Sequence, residues 1–205
     1  MKKSKGVYFV LSAPSGCGKT TIGNILLKEV SEIVRSISHT TREKREGEVD
    51  GHDYFFVSME EFQILVTEKE FIEWEKVHSS LYGTSKTSIS DLSKTSDVLL
   101  IIDYRGAVSL KKEFPEDTVT IFLIPPSIDR LVNRIKGSKD SRVEELEIRL
   151  ETARMELQHA DDFDYIIEND ILEKAVEEIK AIIYAERLKR NRKEKKIQDM
   201  LKERL

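Results

Sequence analysis

Residues 13 to 20, APSGCGKT, have the types and spacing needed to hold a polyphosphate. Backbone N–H groups can wrap phosphate oxygens only where no Cβ blocks close approach, which accounts for Gly16 and Gly18. A helix starting just beyond would add its positive N-terminus. Lys19 then neutralises the β- and γ-phosphates and the Thr20 hydroxyl serves Mg²⁺. The pattern G-x-x-x-x-G-K-[ST] is met everywhere except its first position, where Ala13 replaces glycine, a methyl that a negative φ accommodates. Pro14, Ser15 and Cys17 complete the loop. A chance Gly/Ser turn would rarely be followed by Lys-Thr at this spacing.

A second group lies further on: Ser38, Arg42, Arg45 and Tyr54 within a charged, glycine-containing stretch. Two guanidinium forks and a phenol could clamp a second phosphate. Taken alone, such a stretch is more often a solvated loop. Beside a phosphate loop it suggests a phosphorylated acceptor.

These groups need a scaffold. The apolar run Val7 to Leu11 precedes the loop, and Ile22, Ile25, Leu26 and Val30 follow it at helical spacing. Similar runs recur at Val98 to Ile102, Val119 to Ile124 and Tyr165 to Ile167. Apolar runs without alternation, separated by helical segments, indicate parallel strands covered on both faces, hence a doubly wound α/β core. The core is expected over about 5–36, 94–127 and 160–186. Between its parts lie an insertion over about 37–93, with a capping box at Ser58 to Glu61, and a charged, helical flap over about 128–159. The end, about 187–205, is basic, with a thin stripe of Ile197, Met200, Leu201 and Leu205 expected on a solvated helix.

Composition narrows the partners. With 205 residues, 35% of them charged, and a formal net charge of -4, nothing points to nucleic acid or a membrane surface. No apolar stretch is long enough to span a bilayer and no signal-peptide pattern precedes the first strand, so a soluble, cytoplasmic protein is expected. The single cysteine excludes an intramolecular disulfide and agrees with a reducing compartment. Cys17 is reactive if exposed near the helix N-terminus and otherwise a small loop residue.

Taken together, A-P-S-G-C-G-K-T, the stretch S-I-S-H-T-T-R-E-K-R-E-G-E-V-D-G-H-D-Y, F-I-E-W-E, Y-G-T and I-D-Y-R-G-A resemble the guanylate kinase family, in order from the first strand to about Glu186. The resemblance implies a P-loop NTPase-type core with an inserted NMP-binding region and a helical lid. It implies transfer of the γ-phosphoryl group of ATP to GMP with Mg²⁺, with dGMP as a second possible acceptor. By the same resemblance Arg42, Arg45, Tyr54 and Tyr82 hold the GMP phosphate, and Ser38, Glu73, Thr84 and Asp103 surround the guanine. Guanine offers N1–H and its amino group side by side, so one carboxylate can accept both, while a hydroxyl of Thr84 or Ser38 donates to O6. Asp103, ending an apolar run, is also placed to order Mg²⁺ through water. The family often has a further acid two positions earlier, where this chain has Ile101.

Arg134 and Arg149 match lid arginines that reach the transferring group. Ser138-Lys139 stands where an Arg-Gly pair is usual, and Lys139 or Arg142 is the available substitute. Asn169 resembles a residue near the adenine of ATP and could equally cap the helix that follows. Three rivals compete. A kinase of the same fold acting on a sugar phosphate would have no guanine edge for Glu73 and Thr84 to read. A non-catalytic protein-binding module has no need of Lys19 and Thr20. A regulatory GTPase should carry an Asn-Lys-x-Asp motif, which is missing here.

Overall fold

The computed structural model describes residues 6–77, 79–137 and 143–202. Its central sheet is parallel throughout and runs β2-β7-β1-β8-β9. These strands are β1 (Tyr8–Ser12), β2 (Ile33–Arg35), β7 (Asp97–Ile101), β8 (Thr118–Ile124) and β9 (Tyr165–Glu168). Alternate residues explain the unbroken apolar runs. Phe9, Leu11, Leu99, Ile121 and Leu123 enter a cluster with Ile22 and Leu26 of α1 (Lys19–Glu29) and Ile179 and Ile183 of α7 (Leu172–Arg187). Tyr8, Val10, Val98 and Leu100 enter another with Ile89 of α3 (Lys86–Ser93) and Ala107 and Leu110 of α4 (Tyr104–Glu113). With helices on both faces, the positions of the central strands β7, β1 and β8 are buried nearly throughout, while the edge strands β2 and β9 keep exposed ones.

Strand β1 lies between β7 and β8, so the chain leaves its carboxyl end where the sheet order reverses. That is the ligand-binding position of open α/β sheets. The four long strands agree with the sequence expectation to within a residue at either end. Strand β2 was not anticipated: with three residues, of which only Ile33 is buried, it is too short to show periodicity.

The insertion forms its own sheet, ordered β4-β3-β6-β5 from β3 (His39–Thr40), β4 (Phe55–Phe56), β5 (Phe71–Val77) and β6 (Ser80–Ser85). Helix α2 (Met59–Thr67) packs Phe62 against Phe71, with ring centroids 4.5 Å apart. It starts in the expected capping box: Glu61 N donates to Ser58 Oγ at 3.1 Å and Ser58 N to Glu61 Oε2 at 2.7 Å. The flap contains α5 (Ile128–Lys136) and α6 (Val143–Leu157), and α8 (Arg190–Lys202) forms the basic end. Leu205 lies outside the described residues.

Candidate active site

The loop after β1 has the backbone that a phosphate cradle needs. Gly16 and Gly18 have φ of 83° and 88°, which disfavour a side chain. A Cβ on Gly18 would also come within 2.8 Å of Asn169 Nδ2. Ala13 and Pro14 are buried, and Thr20 is exposed in the first turn of α1. Lys19 Nζ donates to the Ala13 carbonyl, folding the ammonium over the loop. Burial pulls its pKa down, opposed by the carboxylates of Glu156 and Asp103.

Two open alternatives close here. The Cys17 thiol is buried, and desolvation raises its pKa to about 11, so it is a small loop residue and not a reactive thiol. Asn169 does not cap a helix: α7 has Ile171 at its N-cap, without a side-chain bond. Instead Asn169 Nδ2 donates to the Cys17 carbonyl at 2.8 Å, and its own carbonyl accepts from Arg134 Nη2 at 2.9 Å. It joins β9, the loop and the flap.

From Lys19 a cavity of about 670 Å³ runs between the two sheets, lined among others by Ser38, Tyr54, Glu73, Tyr82 and Asp103. Cross-strand register brings Glu73 of β5 opposite Thr84 of β6, whose hydroxyl donates to Glu73 Oε1 at 2.6 Å. Desolvation, reinforced by Asp103 and Glu75, raises the Glu73 carboxyl to about 7 despite that bond. Its stem crosses Gly106, where a Cβ would lie 2.7 Å from Glu73 Cγ. Asp103 caps α4, accepting from Gly106 N at 2.9 Å. Ile101 covers Gly23 of α1, so an apolar residue there serves the core.

Neither arginine of the insertion lines the cavity itself, but Arg42 abuts its lining at Tyr82 and Tyr54. Arg42 is held by Glu48 in a two-pronged pair, Nη2 to Oε1 at 2.7 Å and Nη1 to Oε2 at 3.1 Å. Its guanidinium lies 5.6 Å from the Tyr54 ring centroid. Arg45 has an exposed side chain, and its N–H donates to Glu48 Oε2 at 2.8 Å. On the flap, Arg149 Nη2 donates to Ser15 Oγ at 3.0 Å. Lys139 and Arg142 lie outside the described residues. Thr20 and Asp103 present a hydroxyl and a carboxylate near the switch point, a donor set suited to a hard cation that keeps water and phosphate ligands. Among the described residues, no three His, Cys, Asp or Glu gather into a self-sufficient metal site.

Sequence reasoning missed several residues around this cavity, notably Glu75, Tyr104, Arg105 and Glu156. A signal existed for Glu156. It follows Arg149 by seven residues, which puts both on one face of α6.

Comparison with known proteins places the chain. A family model described as guanylate kinase matches residues 5–186. A guanylate kinase of Novosphingobium aromaticivorans is 43% identical over 189 residues, covering 92% of this chain and 86% of that one. One from Caldanaerobacter subterraneus subsp. tengcongensis is 44% identical over 191 residues, covering 93% and 92%. The crystal structure of guanylate kinase from Anaplasma phagocytophilum superposes with a TM-score of 0.71 at 37% identity, covering 93% of this chain and 90% of that one. With the phosphate loop at the sheet's switch point and a polar cavity leading from it, the chain belongs to the guanylate kinase family.

Proposed function

We propose that the cavity between the two sheets is where the γ-phosphoryl group of ATP passes to GMP, giving ADP and GDP. The observation that carries this reading is the continuity of the cavity from Lys19, on the phosphate loop, to Glu73, on the insertion. Residues 13–20 hold the ATP phosphates, with Asn169 at the adenine side. Tyr54, Tyr82, Arg42 and Arg45 hold the GMP phosphate once Arg42 exchanges Glu48 for it. Glu73 accepts from guanine N1–H and its amino group. Thr84 carries one hydroxyl proton and gives it to Glu73, so Ser38 is left as the donor to O6. Adenine reverses this pattern and would set a lone pair against a buried carboxylate, a mismatch on the scale of 10⁴ to 10⁵ in discrimination, as an order-of-magnitude expectation.

Phosphoryl transfer needs little covalent help from protein, so positioned positive charge and exclusion of water do most of the work. Lys19 supplies charge at the loop, and Arg134 and Arg149 supply it from the flap as Arg45 does from the insertion. Thr20 directly, and Asp103 through water, would hold Mg²⁺, which neutralises the β- and γ-oxygens when bound. Core, insertion and flap act as the boundaries at about 37–93 and 128–159 suggest, the two mobile parts closing over the substrates. dGMP, which keeps the same base edge, is accepted as well. No helix among the described residues is long and apolar enough to cross a membrane, and a cytoplasmic enzyme free of nucleic acid is the reading that fits a nucleotide substrate.

The test is ADP formation by the purified chain with ATP and Mg²⁺, comparing GMP, AMP, UMP, CMP and ribose phosphate. Turnover confined to GMP and dGMP is expected. Equal turnover with ribose phosphate would remove Glu73 from substrate recognition.

A further inference from the structure

Glu156, on the flap, touches the phosphate loop and has no role in the chemistry above. Ser15 N donates to Glu156 Oε2 at 3.3 Å, while Arg149, two turns earlier on the same helix, donates to Ser15 Oγ at 3.0 Å. The flap thus grips one cradle residue at both its backbone and its hydroxyl. The Glu156 carboxylate is half-buried and shares its field with Lys19 of α1, Cys17 of the loop, Asp103 at the end of β7 and Arg105 of α4.

We propose that Glu156 is an internal anion for the phosphate cradle, competing with the polyphosphate of ATP and so setting donor affinity. Three features support it. Loop amides recognise phosphate by donating to anionic oxygen, and Glu156 offers the Ser15 amide such an oxygen. One N–H cannot fully serve two acceptors, and a carboxylate beside a phosphate is repelled by it. Glu156 also draws on the Lys19 charge that ATP needs. Entry of ATP therefore displaces Glu156 from Ser15, and because Glu156 and Arg149 share a helix, that displacement moves the flap arginine relative to the loop. Donor binding is thereby coupled to flap position through a single carboxylate. The inference rests on reading residues 13–20 as the ATP cradle.

The experiment compares the full chain with its Glu156→Gln variant, which keeps shape and loses charge. ATP dissociation constants come from titration with a non-hydrolysable ATP analogue and Mg²⁺, and KM for each substrate from steady-state kinetics. Competition predicts that Glu156→Gln binds the analogue about tenfold tighter, with KM for ATP lowered in proportion and KM for GMP unchanged. Unchanged or weaker binding by a folded Glu156→Gln would overturn the proposal and make Glu156 a brace for the loop. If that variant fails to fold, Glu156→Asp, shorter by a methylene, must show tighter binding for the proposal to stand. Lys19→Ala, run in parallel, separates the two ideas. Loss of analogue binding there upholds the cradle, whatever Glu156 does, and retention of full affinity would sink the cradle reading itself.

Discussion

Glu73, in the guanine-accepting role proposed for it, would serve recognition at the expense of stability. Its carboxyl sits near 7 because burial withdraws water from the charged form, and Asp103 and Glu75 add like charge. Guanine needs the ionised form, since only a carboxylate can accept from both N1–H and the amino group. KM for GMP should therefore climb as pH falls below 7, approaching tenfold per unit, while KM for ATP does not share that slope. In Glu73→Gln the GMP slope should vanish and affinity should drop; a variant that kept the wild-type slope would assign it to another group. Stability follows the opposite sign. A folded pKa raised above the ordinary 4.5 means the fold binds the extra proton, so its stabilisation is complete below 4.5 and is lost as pH rises through 7. Glu73→Gln should then gain up to about 3 kcal/mol over wild type at pH 8 and little at pH 4, read from urea unfolding at each pH. Cys17 is the opposite case, with nothing to contribute chemically: its buried thiol, raised to about 11, should react with iodoacetamide only as fast as the loop opens. Addition of nucleotide should slow that further.

At the scale of elements, buried charges join parts that sequence places far apart. Asp97, at the start of β7, accepts from Val7 N at 2.7 Å and from Arg187 Nε of α7 at 2.7 Å. Asp97→Ala would leave the Val7 amide and the Arg187 Nε without their acceptor, Arg187 keeping only the Ser31 carbonyl at 2.8 Å from Nη2, and should destabilise by about 3–5 kcal/mol in chemical denaturation with KM values unchanged in the folded fraction. Glu186 ties the last helix down. It is 1% exposed, accepts from Tyr165 Oη at 2.6 Å, pairs with Lys189 at 2.7 Å and faces Arg192 at 3.9 Å. The basic end is accordingly not a wholly solvated helix: its first turn neutralises a buried acid. Removing residues 189–205 should destabilise the fold, and Glu186→Gln in the shortened chain should restore much of the loss; no restoration would mean that α8 acts through packing alone. None of these ties could be read from sequence, because Asp97 and Glu186 look like ordinary strand-end and helix charges until the fold sets their partners around them. Periodicity made the four long strands legible, and local backbone chemistry did the same for the loop and the Ser58 box. The short β2 and the pairing of Glu73 with Thr84 depend on register across a sheet, which one strand's sequence does not encode.

At the scale of the whole molecule, the cavity proposed for the acceptor lies between the central sheet and the sheet of the insertion, whose β5 reaches the core through Ile72. Strand β5 of the insertion meets α4 of the core, and Gly106 sits at that seam with Glu73 lying across it. A Cβ there would fall 2.7 Å from Glu73 Cγ and 3.0 Å from Ile102 Cδ1, closer than packed atoms tolerate. Something must move. Ile102 is anchored in the core cluster under the central sheet, whereas Glu73 lies on a strand that reaches that cluster through its neighbour Ile72 and otherwise belongs to the smaller sheet. The insertion should therefore shift as a body and carry Glu73, Tyr82 and Tyr54 with it, while the phosphate loop on β1 stays in place. Gly106→Ala should raise KM for GMP at least tenfold, lower kcat, leave ATP-analogue affinity within twofold of wild type, and destabilise by about 1–3 kcal/mol as overpacked sites do. Equal loss of both substrates would show that α4, not the insertion, had yielded, since Asp103 at its N-cap and the loop beside it would then have moved together. The outcome decides whether acceptor recognition and donor binding are set by separate bodies of the fold or by one.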